Sequence, residues 1–287
     1  MKSALITVDV EDWIQSTWDR KLPITERSAT NTHKLLELMD ELNIKSTMFV
    51  LGKFAESFPK IVKEIYLRGH EIASHGYSHI EIFKQNRKEF KSDVERSKKY
   101  LEDLIGDEVL GYRAPDFSII NSTLWALRTL SELGFKYDSS IYPIKHGRYG
   151  IEKFPAQPIN VMLETFSILE FPISTISIKN KNIPIGGGGY HRLLPSFLIN
   201  RIAARVLTTK PFIYYCHPYE FNVNELNEIR PVLPLKVRLH QGMGRKYFKK
   251  RFVSFVKNFG SVRIKDAIAE MSFPSYQLSG EEVLTND

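Results

Sequence analysis

A recurring pattern restricts the fold more than any single motif: short apolar runs end in a polar or ionisable residue, and helical stretches separate them. Leu5 to Val10 runs into Asp9, Glu11 and Asp12, and His70 to Ser74 stops at His75. Val109 to Tyr112 leads to Arg113, Tyr137 to Asp138, and Phe212 to Cys216 to His217. Two further runs, Ser46 to Leu51 and Ile168 to Phe171, complete the set. Between them lie amphipathic stretches: Leu35 to Leu42 behind Thr30-Asn31-Thr32 as N-caps, Pro59 to Tyr66 closed by Gly69, and Arg87 to Leu104 closed by Gly106. Asn121 to Leu130 and Pro195 to Leu207 follow. Strands alternating with helices predict parallel β structure with the helices outside. In a β/α barrel the C-terminal strand ends share the face where chemistry sits.

Those strand ends carry the candidate groups. His75 and His79, four apart after a strand, share a face if the chain enters a helical turn, and neutral imidazoles suit Zn²⁺, Fe²⁺, Co²⁺ or Ni²⁺. Three carboxylates in four residues, Asp9, Glu11 and Asp12, are either an exposed acidic turn or a site that uses them. By strand periodicity Asp9 and Glu11 lie on one face and Asp12 on the other, unless the strand has already ended before it. Asp9 and Glu11 can then divide the work of a metal ligand and a proton acceptor. His70, at a strand start, reads as scaffold. Cys216 points away from the face that His217 occupies and reads as core. The Gly186 to Gly189 run lacks the lysine and hydroxyl residue of a phosphate loop and is expected to bring backbone close to a ligand. Trp13, Trp18, Tyr142 and Tyr190 are candidates to stack on a ligand or to fill the core.

Taken together, Thr7-Val8-Asp9-Val10-Glu11-Asp12, His75-Gly76-Tyr77-Ser78-His79, Arg113-Ala114-Pro115, Tyr137-Asp138-Ser139-Ser140 and Tyr215-Cys216-His217-Pro218 resemble, in order, the five motifs of the NodB-type polysaccharide deacetylases, carbohydrate esterase family 4. Gly186 to Pro195 and His217-Pro218-Tyr219-Glu220 resemble the branch found in exopolysaccharide and surface-polysaccharide loci. The resemblance implies an α/β fold, a distorted (β/α)7-type barrel, and metal-dependent hydrolysis of an N-acetyl group on an amino sugar. It implies Asp9 as base, Arg113 as the residue that orients it and His217 as the acid. It makes His75 and His79 metal ligands, with Glu11 or Asp12 completing the set and Zn²⁺ the expected ion. Asp138 is expected behind the acid histidine or lining the groove, and Tyr190 and Trp13 against substrate. The first motif departs from the adjacent aspartate pair of many members, because Val10 separates Asp9 from Glu11.

Two rival functions share this barrel: hydrolysis of another amide (N-formyl, a nucleotide-linked sugar, a cyclic ureide) and glycan binding without catalysis. The expected substrate is an N-acetylated glycan or a lipid-linked or nucleotide-linked amino sugar, and no nucleic acid. The single cysteine fits a reducing compartment, and the N-terminal apolar run is too short for a secretion signal, so a cytoplasmic protein is expected.

Charge adds one more expectation. The net charge is +7, and the excess is local: between Glu228 and Asp266 no acidic residue occurs among 11 lysines and arginines, Arg230 to Lys265. Residues 1–235 are read as the catalytic domain and 236–287 as a basic extension packed on it. In that extension Phe248, Phe252, Phe255 and Phe259 stripe one helix face. Such a tail is either a solvated helix or a dock for an anionic membrane at the inner face or a phosphorylated lipid. Leu278 to Asp287 is expected to fray.

Overall fold

A computed structural model describes residues 3–163, 166–228 and 233–278. Arg230 and residues 279–287 therefore lie outside the described residues. The strands are β1 Leu5–Val10, β2 Thr47–Val50, β3 Glu71–Ser74, β4 Gly111–Tyr112, β5 Tyr137–Asp138, β6 Ile159–Leu163, β7 Phe166–Glu170, β8 Thr175–Ile178, β9 Lys181–Pro184, β10 Ile213–Cys216 and β11 Ser275–Gln277. The helices are α1 Glu26–Glu41, α2 Gly52–Ser57, α3 Pro59–Leu67, α4 Arg87–Ile105, α5 Trp125–Glu132 and α6 Gly188–Leu193. They continue with α7 Ser196–Val206, α8 Glu225–Glu228, α9 Leu235–Gly242, α10 Arg245–Phe259 and α11 Ile264–Glu270.

Seven strands in the order β10-β1-β2-β3-β4-β5-β7 run parallel, and β6 and β11 extend the β7 edge. The strand count matches the expected (β/α)7 arrangement, but strand pairing does not close the ring among the described residues. Irregular backbone spans the gap: Ser174 N donates to Ile213 O at 3.4 Å and Tyr215 N to Gly186 O at 2.8 Å. This is the distortion, and it leaves one side of the barrel to loops.

β1 shows how the sheet positions the site. Ile6, Val8 and Val10 belong to the core under the helices, whereas Leu5 belongs to the inner cluster with Phe49, Tyr137, Ile264 and Ala267. Alternation then places Leu5, Thr7 and Asp9 at successive heights inside the barrel. The last two residues of that inner cluster come from α11, which plugs the lower end.

Local signals mostly act where the sequence places them. Asn86 and Glu89 form a capping box on α4, and Gly106 ends it at φ +70°. α1 differs: it begins at Glu26, a turn before the expected caps. Thr30 and Thr32 instead bond back to the Glu26 and Ser28 carbonyls, at 3.0 and 2.8 Å. Asn121 opens a short 3₁₀ turn, and α5 starts at Trp125.

The expected extension is not a separate layer. Phe248, Phe252 and Phe255 are fully buried in the main core, and Phe255 packs on Phe212, Tyr214 and His191. The phenylalanine stripe of α10 faces the barrel and is not itself a surface for docking. No helix among the described residues is long and apolar enough to cross a membrane.

Candidate active site

Glu11, two residues beyond Asp9, reaches over the mouth of the barrel. Its Oε2 lies 2.7 Å from His79 Nε2 and 3.5 Å from His75 Nε2, and it takes no hydrogen bond of acceptable geometry. All three side chains are buried, and among the described residues they are the one cluster of three that could hold a metal ion. A buried carboxylate oxygen facing two ring nitrogens without a hydrogen bond is what a shared cation would explain.

The loop between the histidines is built for convergence, but it is no helical turn. Gly76 has φ +72° and His79 φ +57°, a region costly for a side chain with a Cβ. Asp93 on α4 clamps the loop, accepting from Tyr77 N at 2.7 Å and Ser78 N at 3.1 Å. His75 Nδ1 lies 2.8 Å from Arg113 O, so this nitrogen carries the proton and Nε2 presents its lone pair to the site. Burial alone would push the Glu11 carboxyl up, but His79, His75 and His217 outweigh it and hold it well below the usual carboxylate range. Burial likewise opposes protonation of His79, and the Glu11 charge overcomes it, so that pKa is raised.

Asp12 lies elsewhere. Its Oδ1 accepts from Ile14 N at 3.0 Å and Arg27 Nη2 at 3.3 Å, and its Oδ2 accepts from Thr25 N at 2.8 Å and Thr25 Oγ1 at 2.5 Å. With both oxygens engaged, Asp12 fastens the chain after β1 to the start of α1.

Arg113 fills the barrel interior, fully buried over the Phe49 ring. It donates through Nη1 to Asp9 Oδ1 and Thr7 Oγ1, both at 2.8 Å, and through Nε and Nη2 to Ser139 O and Oγ at 3.0 and 2.8 Å. One carboxylate oxygen of Asp9 is thereby fixed. The other, Oδ2, is 3.9 Å from His217 Nε2, which also stands 3.8 Å from Glu11 Oε1. The neighbouring amides are committed: Arg113 N donates to Ser74 O at 2.9 Å and Ala114 N to Ser140 Oγ at 2.7 Å.

The carboxylate behind His217 is Glu220, which the site expectation passed over. Its Oε2 is 3.2 Å from His217 Nδ1 and accepts from His217 N at 3.1 Å, while Oε1 pairs with Arg192 at 3.1 Å. Burial works against a charged His217, but Glu220, Glu11 and Asp9 raise its pKa. Asp138 does not take that place. It is fully buried and accepts from Ser140 Oγ at 2.5 Å, with Glu170 beside it; burial raises both carboxyls. Asp138 therefore belongs to the sheet and not to the groove.

A cavity of about 590 Å³ opens over Asp9, Glu11, His75, His79 and His217. Trp13, Tyr149, Tyr190, Tyr219 and Arg192 also line it. Of the other aromatic candidates, Tyr142 is buried and Trp18 is 42% exposed outside the cavity lining. Within the glycine run only Gly189 reaches the cavity. Gly188 serves packing, because a Cβ there would collide with the Glu220 carboxylate. Ser46 N donates to His70 Nδ1 at 3.2 Å, and burial lowers the His70 pKa to about 4, consistent with scaffold. Cys216 is buried and its thiol pushed well up by burial, which suits core and not a nucleophile.

Comparison with known proteins follows the same residues. Residues 7–137 match the family model "Polysaccharide deacetylase", and residues 139–269 match "Domain of unknown function (DUF3473)". A "Peptidoglycan-N-acetylglucosamine deacetylase" of Bacillus cereus is 38% identical over 96 residues, 33% of this chain and 35% of the relative. A "Peptidoglycan deacetylase" of Helicobacter pylori is 34% identical over 110 residues, 38% of this chain and 36% of the relative. The matches thus span about a third of those relatives. A Mycobacterium smegmatis crystal structure assigned to the polysaccharide deacetylases superposes with a TM-score of 0.62 at 18% identity, covering 96% of this chain and 93% of that one. One from Pseudomonas aeruginosa superposes at 0.58 with 15% identity, covering 92% and 90%. Those two likenesses show the fold. With the motif residues meeting at one barrel mouth, the chain carries a NodB-type polysaccharide deacetylase domain (carbohydrate esterase family 4) over residues 7–137, followed by a DUF3473 domain over residues 139–269.

Proposed function

We propose that this protein is a metal-dependent carbohydrate deacetylase that hydrolyses the N-acetyl group of an amino sugar. One observation carries the reading: a single cavity has the Glu11–His75–His79 donor set, an arginine-held Asp9 and the carboxylate-backed His217 on its floor. The donor set of two imidazoles and one carboxylate with open positions fits Zn²⁺, and Fe²⁺, Co²⁺ or Ni²⁺ by the same criteria. A bound divalent ion supplies a Lewis acid that polarises the amide carbonyl and makes water easier to deprotonate.

The protein's own groups do the rest. Asp9 Oδ2, the oxygen left outside the Arg113 contact, takes a proton from the attacking water. Arg113 holds Asp9 in place through a guanidinium anchored at Thr7 and Ser139. His217 Nε2 delivers a proton to the sugar nitrogen as the C–N bond breaks, giving acetate and the free amine. Glu220 and Arg192 keep the ring turned so that Nε2 faces the cavity. Trp13, Tyr149, Tyr190 and Tyr219 present ring faces and edges to the sugar.

N-acetylated oligosaccharides, assayed beside N-formyl sugars and free amides, test the reaction. Acetate release that needs metal and is lost in His79→Ala supports it. Turnover of free amides alone would move the protein to the rival amide hydrolases, and glycan binding without turnover to the silent barrels.

A further inference from the structure

Packing of the phenylalanine stripe leaves a different apolar set outside. α9 buries none of its residues, and Leu235, Leu239 and Met243, at four-residue spacing, are 69%, 62% and 55% exposed. Next to them the end of α6 exposes Leu193, the first turn of α7 exposes Phe197 at 75%, and the first turn of α10 exposes Tyr247.

These pieces form one surface. Arg192 Nη1 donates to Gln241 O at 2.5 Å, and Gly244 sits so close to the Arg192 carbonyl that a Cβ could not be accommodated. Leu193 and Met243 both stand at the mouth of the cavity. The same two helices, α9 and α10, carry exposed Lys236, Arg238, Lys246, Lys249 and Lys250, and the sequence has no acidic residue from Ile229 to Lys265.

We infer that this face, α9 with the end of α6 and the starts of α7 and α10, docks on an anionic membrane surface and sets the cavity mouth at the interface. Grouped exposed aliphatic and aromatic side chains, with lysine and arginine on the same helices, match the two forces of interfacial binding, apolar insertion and attraction to acidic headgroups. Nucleic acid would use the cations but leaves the leucines without a role. A symmetric second copy would bring the same cationic patch against itself. Docking does not depend on the deacetylase reading. Only its consequence does: an amino sugar on a lipid carrier would enter the site from the membrane side.

The test floats the full-length protein with vesicles of phosphatidylcholine alone or with about 30% phosphatidylglycerol. The protein is expected to float with the anionic vesicles only and to be released by salt. Phe197→Glu/Leu239→Glu, at two exposed positions outside the cavity, should lower partitioning at least about ten-fold with an unchanged melting temperature. Lys249→Glu and Lys250→Glu should each lower it about five-fold. Failure of the wild type to float with anionic vesicles, or equal flotation after Phe197→Glu/Leu239→Glu, overturns the inference. So does a dimer in sedimentation that the same pair dissociates while vesicles are ignored.

Discussion

Glu220 joins His217 to Arg192: its two oxygens stand 3.2 Å from His217 Nδ1 and 3.1 Å from Arg192 Nε. His217 and Glu220 are one turn apart, whereas Arg192 comes from α6, so the orientation of His217 depends on a distant helix. Glu220→Gln keeps the shape and removes the charge that helps to raise the His217 pKa. Its kcat should fall roughly ten-fold, with the alkaline limb of the pH profile moved towards acid and KM little changed. Glu220→Asp should recover part of the loss. A profile unchanged in Glu220→Gln would remove Glu220 from this role.

Glu11 and Asp12 separate by experiment as they do in space. Glu11→Gln should lose bound zinc, measured by elemental analysis, while keeping its melting temperature. Asp12→Ala should keep zinc and lose about 1–3 kcal/mol of stability, because Thr25 and Ile14 amides and Arg27 lose their acceptor. The reverse pattern would assign the metal to Asp12.

The buried pair Asp138–Glu170 makes a stability prediction with a defined sign. Burial, then the Asp138 charge, raise the Glu170 carboxyl well above its ordinary 4.5 in the folded state. A raised folded-state pKa contributes stability that is complete below about 4.5 and lost as pH rises towards the folded value. Glu170→Gln removes that loss while keeping an oxygen that can accept from Ile141 N. Urea unfolding should find the variant more stable than wild type at pH 8 and similar at pH 4. A gap of equal size at both values would contradict a raised Glu170 carboxyl.

α10 is part of the core, so the expected effect of Phe252→Ala is on folding. Its ring packs on Tyr214 and Phe221 and is fully buried. The substitution should cost about 3–5 kcal/mol in denaturant unfolding. Truncation at Gly244 should give an unfolded or aggregated product rather than a soluble catalytic barrel.

Much of this site was legible because period-two strands place residues without any knowledge of the partner strands. Asp9, His75, Arg113 and His217 all sit at ends of parallel strands and converge where the pattern puts them. Glu11 and Asp12 lie past the end of β1 at Val10, so alternation alone left the choice between them open. Asp138 shows the limit: a strand end near the mouth still turns a carboxylate into the sheet, beside Glu170 on the adjacent strand, where burial raises both carboxyls. Asp93, Arg192 and Tyr149 were not legible as site groups, since α4, α6 and the 141–154 loop reach the site only through tertiary packing. Glu220 carried a signal, three residues after His217 with Pro218 between, the spacing of a single turn. The phenylalanine stripe looked like a docking face because periodicity marks an apolar side without saying what covers it.

Acetate release from an N-acetylated amino-sugar oligosaccharide, by protein stripped with a chelator and then given zinc, addresses the central claim most directly, with Asp9→Asn alongside. The account predicts loss on stripping and recovery with zinc. It also predicts an Asp9→Asn protein that still binds zinc but releases acetate at least about 100-fold more slowly. Acetate release undiminished by both chelation and Asp9→Asn would contradict it.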